Sequence, residues 1–153
     1  MLFRSNAFMY GAGHGGVEAM LLCGVASINN IASAVMINSG TMSAQLASLD
    51  AKKAADTAAA LSALWTTPSL TFFAGGVERI IAVVLHLSLS ILVFQSIRKK
   101  SQKDLLNAYL FHFVVDSLSV LLSAVASVWV VELVVALVTG GAVLMAKYAC
   151  MEE

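Results

Sequence analysis

The residues best suited to chemistry in this chain are its histidines and two carboxylates close to them. The sequence has three histidines, His14, His86 and His112, and each lies within a long apolar segment. Glu18 follows His14 by four residues, and Asp116 follows His112 by four, so each pair projects from one face of a helix. An imidazole beside a carboxylate can activate water, relay a proton or bind a metal ion. The pattern therefore indicates hydrolysis, metal binding or proton transfer.

The chain that positions these residues has the composition of a membrane protein. It has 153 residues, of which 59% are hydrophobic and 12% charged, whereas soluble domains carry about 25% charged residues. The apolar runs predict one membrane domain, residues 1–153, folded as an all-α, multi-pass transmembrane helical bundle. Four spanning helices are predicted, roughly at residues 7–37, 68–97, 104–128 and 129–148, with an external, partly helical loop at 38–66. The formal net charge is zero, which gives no basic surface for nucleic acid.

A basic run between the second and third spans sets the predicted orientation. Arg98, Lys99, Lys100 and Lys103 lie there, and the positive-inside rule places such a run in the cytoplasm. Both termini are then cytoplasmic, and the loop at 38–66 is external.

The depth of the chemically active residues groups them further. At a rise of 1.5 Å per residue, all five are expected about 11–19 Å from the cytoplasmic ends of their helices. An ionisable group inside a bilayer costs about 2.5–3.5 kcal/mol on insertion scales, so such groups are rare and usually functional. A shared layer predicts that the five side chains line one cavity in the cytoplasmic half of the membrane.

Further charged residues lie within the predicted spans, and three of them need an interpretation. Glu78 and Arg79 are neighbours in the second span and are expected near the outer interface, where an ion pair costs little. Arg79 precedes His86 by seven residues and shares its helix face to within about 20°. It can therefore reach the same cavity, although we favour a structural role. Glu132, near the start of the last span, is expected to be interfacial rather than functional.

Small residues follow one face of the first span. Gly11, Gly15 and Ala19 recur at intervals of four residues beside the His14–Glu18 face. This stripe has the period of close helix packing, which is the interpretation we favour. The alternatives are close approach of a substrate to the backbone, or a locally loosened helix.

Several short strings resemble one protein family. They are Gly11–Ala19 (GAGHGGVEA), Gly76–Arg79 (GVER), His86, His112–Asp116 (HFVVD) and Met36–Gly40 (MINSG). The chain resembles the YhfC family of bacterial intramembrane peptidases, which are related to type II CAAX prenyl endopeptidases and PrsW-like proteases. The resemblance implies a protein of the cell (inner) membrane. Family members usually have further helices ahead of the first string, so we expect a short or truncated member.

The resemblance also implies roles for the polar residues. By motif order, Glu18, His86, and His112 with Asp116 hold the catalytic positions. One departure is that a single Glu18 follows a histidine here, where the related proteases usually carry paired glutamates followed by arginine or lysine.

The resulting hypothesis is an intramembrane endopeptidase that cleaves a membrane protein or peptide substrate with an activated water. Glu18 would be the general base, and His112, steered by Asp116, would hold the water or donate a proton. His86 would stabilise the oxyanion, and His14 would orient Glu18.

Other chemistries remain open for the same cluster. No cofactor is favoured, but zinc is a close competitor, with ligands drawn from His14, Glu18, His86 and His112. A transporter or proton relay could use the same buried residues. A non-catalytic membrane scaffold is the remaining alternative, since the wider superfamily includes a structural subunit of gamma-secretase.

Overall fold

The computed structural model describes the backbone of residues 2–151 and the side chains of residues 5–151. Residues 1, 152 and 153, which belong to the predicted domain 1–153, lie outside the described residues. The described chain is helical and contains no strand. Its elements are α1 (Leu2–Ala19), a π-helical turn (Met20–Gly24), α2 (Val25–Asn38), α3 (Thr41–Ala47), α4 (Ala51–Thr66), α5 (Ser69–Lys99), α6 (Gln102–Ser123) and α7 (Val128–Met151).

Four helical segments are long and apolar enough to cross a membrane. They are Ser5–Asn38, Ser69–Lys99, Gln102–Ser123 and Val128–Met151. Apolar side chains remain exposed all around these segments, as expected for helices whose outer faces meet lipid tails. The prediction of an all-α, multi-pass helical bundle is confirmed.

The first span is one helix interrupted by a π-helical turn. Ala19 and Val25, which flank the turn, both keep right-handed helical backbone angles, so the chain passes from α1 to α2 without a break. A π-helical turn inserts an extra residue and changes which side chains face a neighbouring helix. After it, α2 packs on α3 and α4 rather than on α5 within the described residues. A groove therefore separates α2 from the first half of α5.

Helix α5 lies at the centre of the bundle. It contacts α1 on one side and α6 and α7 on the other, while α6 and α7 also contact each other. Leu85, Leu89 and Leu92 of α5 form the middle of the core, and Leu92 is fully buried. Small residues such as Ala142 and Ala146 of α7 pack against them, which lets the helices approach closely.

Capping residues fix where the helices begin. The backbone N–H of Asp104 donates to Ser101 Oγ at 3.4 Å at the start of α6. In the loop at 38–66, the backbone N–H of Lys53 donates to Asp50 Oδ1 at 2.9 Å, which makes Asp50 the N-cap of α4. This loop is therefore mostly helical, with α3 and α4 packed on α2.

The turn between α6 and α7 comes earlier than the sequence pattern predicts. Helix α6 ends at Ser123, whereas the predicted end is residue 128, and α7 begins at Val128 and continues to Met151. The backbone N–H groups of Val125 and Ala126 both donate to Leu122 O and close the turn. The stretch contains no glycine or proline and is almost entirely apolar, so hydropathy does not mark this boundary.

Candidate active site

Two glycines of α1 allow it to pack directly on α5. A Cβ atom on Gly11 would lie 2.8 Å from His86 O and 2.8 Å from Leu87 Cα. A Cβ atom on Gly15 would lie 3.1 Å from both His86 Cβ and Val83 Cα. A Cβ atom at Gly11 would collide with the α5 backbone, and one at Gly15 would push its neighbours by a few tenths of an ångström, so both glycines serve helix packing. The same close approach places the polar face of α1 against His86.

Glu18 and His86 form the central contact of the site. Glu18 Oε2 lies 2.9 Å from His86 Nε2, which joins residues separated by 68 positions in the sequence. An ionised carboxylate can only accept, so His86 Nε2 is the donor in that state and Nδ1 keeps its lone pair when the ring is neutral. The His86 side chain is only 7% exposed, so it is held between the helices.

The three histidine rings lie in a row across three helices. The centroid of His14 on α1 is 4.8 Å from that of His86 on α5. The centroid of His112 on α6 lies 5.2 Å from that of His86, with the two rings close to perpendicular. His86 therefore links the polar face of α1 to that of α6.

His112 and Asp116 form a local pair on α6. His112 Nδ1 lies 2.8 Å from Asp116 Oδ2, which is the contact expected from their four-residue spacing. With the carboxylate as acceptor, the proton of a neutral His112 is on Nδ1, and Nε2 can bind a proton or a ligand. The two side chains are 40% and 65% exposed, so this pair lies at the open side of the row of histidines.

Arg79 lies two turns before His86 on α5 and contacts the same cluster. Its Nη1 atom lies 3.8 Å from Glu18 Oε1, and its Nη2 atom donates to Glu78 Oε1. The spacing of seven residues between Arg79 and His86 predicted that Arg79 can reach the cavity. The structure shows that its guanidinium is shared between two carboxylates, one of them Glu18.

Two cavities border the predicted site residues of α1 and α5. A mostly apolar cavity of about 430 Å³ between α1 and α5 is lined by His14 and His86, with Tyr10, Leu89 and Phe94 among its other residues. His14 and Glu18 line a second cavity, on the outer side of α1. His112 and Asp116 line neither of these two cavities. The prediction of a single cavity for all five residues stays a prediction, because depth along a helix does not fix the direction of a side chain.

Three side chains of the cluster fit a metal ion. His14, Glu18 and His86 each offer one ligand atom, and these atoms lie within 4.8 Å of one another. Two imidazole nitrogens and one carboxylate oxygen form a donor set of catalytic zinc sites, in which the fourth position is left for water. Ligands about 2.0–2.1 Å from a tetrahedral ion lie about 3.3 Å apart, so modest side-chain rotations would close the set. His112 is not among these three, although its ring lies next to His86.

Glu132 on α7 is buried between the helices and lies within electrostatic range of Glu78 and Arg79. Its position near the membrane interface stays a prediction, because burial between helices does not give depth in the bilayer. The sequence feature that could have indicated this burial is a single carboxylate within a mostly apolar helix.

Known proteins that resemble this chain point in the same direction. The model of a family described as YhfC intramembrane metalloprotease matches residues 2–135. The chain is also 35% identical over 136 residues to the uncharacterized membrane protein YhfC of Bacillus subtilis (strain 168). That match covers 88% of this chain and 52% of the relative, so the chain spans about half the length of the relative. No solved structure matches the chain significantly.

Proposed function

The chain belongs to the YhfC family, described as intramembrane metalloproteases, and from this premise we propose that it forms the hydrolytic site of a membrane-embedded, metal-dependent endopeptidase. The observation that carries the proposal is the grouping of His14, Glu18 and His86 from two membrane-spanning helices. Ionisable groups are costly in a bilayer, so a cluster of them held by close glycine packing indicates function rather than chance.

In this proposal, His14, Glu18 and His86 hold zinc. A bound zinc ion would polarise the scissile carbonyl and make a bound water more acidic. Arg79 would orient Glu18, because it approaches Oε1 while His86 contacts Oε2. Groups that contact the ligands in this way hold them in position and keep them ionised.

His112 would move protons during hydrolysis. Asp116 holds the proton of the neutral ring on Nδ1, so Nε2 can take a proton from the attacking water and later give it to the leaving amine. The pair lies beside His86 and on the open side of the cluster, where a substrate can approach.

The apolar cavity beside His14 and His86 supports a membrane-derived substrate. Besides the two histidines, it is lined mainly by apolar and aromatic side chains of α1 and α5. Such a lining favours the apolar side chains of a transmembrane segment over those of a soluble peptide. We therefore propose membrane proteins or peptides as the substrate class.

A metal-free mechanism is the second candidate, and one contact favours it. Glu18 and His86 already hydrogen-bond to each other directly, at 2.9 Å. In this version Glu18 is the general base that activates water, and His86 stabilises the developing charge.

Purified protein in lipid nanodiscs, with a fluorescent transmembrane peptide as substrate, tests both versions. We expect about one zinc ion per chain and cleavage that a chelator abolishes and added zinc restores. His86→Ala should lose the metal, whereas Asp116→Asn should retain it, since Asp116 is outside the metal-binding group. Cleavage by metal-free protein would contradict the zinc-dependent mechanism and support the metal-free one. If the protein binds no zinc and does not cleave the peptide with or without added zinc, both hydrolytic mechanisms are wrong. The scaffold or proton-relay hypothesis then takes their place.

A further inference from the structure

Glu132 of α7 is a buried carboxylate with an unsatisfied oxygen atom. It is 6% exposed, and its Oε2 atom has no hydrogen-bond partner among the described residues. Arg79 lies within electrostatic range, but among the described residues its ion pairs are with Glu78 and Glu18. Burial of a carboxylate oxygen without a hydrogen bond is costly, and buried polar atoms without a protein partner are usually satisfied by water.

A cavity beside Glu132 has room for such a partner. It measures about 330 Å³ and lies between α5, α6 and α7. Glu132, Glu78, Ser119 and Ser123 contribute its polar lining. A water molecule takes about 30 Å³ of liquid, so the cavity can hold several.

The polar lining presents hydrogen-bond acceptors. Ser119 Oγ donates to Val115 O at 2.9 Å, and Ser123 Oγ donates to Val120 O at 2.8 Å. Each hydroxyl has thus used its one proton and can only accept a further bond, as can the carboxylates of Glu78 and Glu132 when ionised. The occupant must therefore be a donor. Water is such a donor and is small enough for the cavity.

The cavity leads from one end of the bundle towards the candidate active site. It is lined by Ala126 and Val128 at the turn between α6 and α7, so it reaches the end of the bundle where that turn lies. At 1.5 Å per residue, Glu132 lies about 6 Å along α7 from its start, and Glu78 lies about 13 Å along α5. Glu78 accepts a hydrogen bond from Arg79, and Arg79 reaches Glu18. The polar path therefore ends at the candidate active site.

We infer that this cavity is a hydrated vestibule that admits water at the α6–α7 turn, holds it on Glu132 and supplies it towards Arg79 and Glu18. A hydrolytic site within a bilayer consumes one water for each bond cleaved and needs such a route. The supply role depends on the proposed protease function, whereas hydration of the cavity does not.

Cysteine accessibility in lipid membranes tests the hydration. In a background with Cys23→Ala and Cys150→Ala, single cysteines replace Ser119 or Ser123 and react with a charged methanethiosulfonate. The matched control is Leu121→Cys, which lies between the two serines along α6 but is 67% exposed on its outer face, towards lipid. We expect both serine positions to react at least about tenfold faster than position 121, because the reactive thiolate forms only in water. Equal, slow reaction at all three positions would overturn the vestibule.

Substitution of Glu132 tests the supply of water. Glu132→Leu replaces the acceptor with an apolar group and should lower kcat at least about tenfold with little change in KM. Glu132→Gln keeps an acceptor oxygen and should lower kcat less than Glu132→Leu does. Zinc content and melting temperature are measured on the same samples. If activity falls only in proportion to the loss of zinc or of folded protein, Glu132 has a structural role and the supply role is refuted. Accessible serine positions in a protein without peptidase activity would refute the proposed function and leave the hydrated cavity standing.

Discussion

Gly11 of α1 lies against the backbone of His86, so closely that a Cβ atom at position 11 would be 2.8 Å from the carbonyl oxygen of His86. The neighbouring atom belongs to the backbone of the central helix and cannot rotate away. The contact that holds α1 on α5 is therefore also the contact that sets the distance between Glu18 and His86. Helix packing and the geometry of the candidate site depend on the same glycine.

Replacement of Gly11 with alanine should disturb both. We expect Gly11→Ala to lower stability by about 1–3 kcal/mol, the usual cost of overpacking, and to reduce activity more than unfolding alone explains, because Glu18 moves away from His86. Thermal unfolding and peptide cleavage in the same detergent measure the two effects. Gly13→Ala is the matched control, since a Cβ there has nothing within 4 Å. A similar response of the two variants would show that the close approach does not position the site.

The sequence predicted best the features that depend on distance along a helix, which are the spans and the depth of the site residues. The apolar runs predicted the four spans, and the rise per residue placed His14, Glu18 and His86 at similar depth before any contact was known. Which side chains meet depends on the rotation of each helix about its axis, and the sequence does not give that rotation. The burial of Glu132 and the reach of Arg79 to Glu18 both depend on it.

The turn between α6 and α7 shows a second limit. A membrane protein stays apolar through a short turn at the bilayer surface, so the usual drop in hydropathy is missing between Ser123 and Val128. Hydropathy then predicts an interfacial glutamate one turn into α7, but it does not predict that the packing of α5, α6 and α7 buries this residue.

The orientation in the membrane stays a prediction that labelling can test. If the basic run near Lys103 is cytoplasmic, Ser48 between α3 and α4 lies on the outside. In the cysteine-free background, Ser48→Cys on intact cells should react with a membrane-impermeant maleimide. Lys103→Cys should react only after the cells are opened. Labelling of position 48 from the cytoplasmic side alone would invert the topology.

Asp50 should stabilise the first turn of α4 in a pH-dependent way. The hydrogen bond from the Lys53 backbone N–H lowers the pKa of Asp50 below its ordinary value of 3.8. The stabilisation is therefore complete above pH 3.8 and is lost as the pH falls through the lowered pKa, when the carboxylate is protonated. At neutral pH, Asp50→Ala should speed amide hydrogen exchange in the first turn of α4, whereas Asp56→Ala, in the middle of the helix, should not. Equal exchange in the two variants would mean that the cap contributes nothing.

The sharpest test of the site is Glu18→Gln, which we expect to abolish cleavage while the bundle stays folded. Gln keeps the shape of Glu and can still bond to His86, but it cannot accept a proton at neutral pH and is a weaker metal ligand. A loss of at least about 10²-fold in kcat is expected in both the metal-dependent and the metal-free version. Activity, zinc content and melting temperature are measured on one preparation. Asp56→Asn, an exposed carboxylate on α4, serves as the control.

The three measurements separate the possible roles of Glu18. Loss of zinc together with activity identifies a ligand, whereas loss of activity in a protein that never held zinc identifies a general base. A purely structural Glu18 gives a different pattern. Its charge would then be needed to offset a protonated His86, and Gln would leave that cation uncompensated inside the bilayer, since Arg79 keeps Glu78 as its partner. The melting temperature would fall, and the activity of each folded molecule would be unchanged. That outcome would remove Glu18 from the mechanism and leave the family resemblance as a statement about the fold.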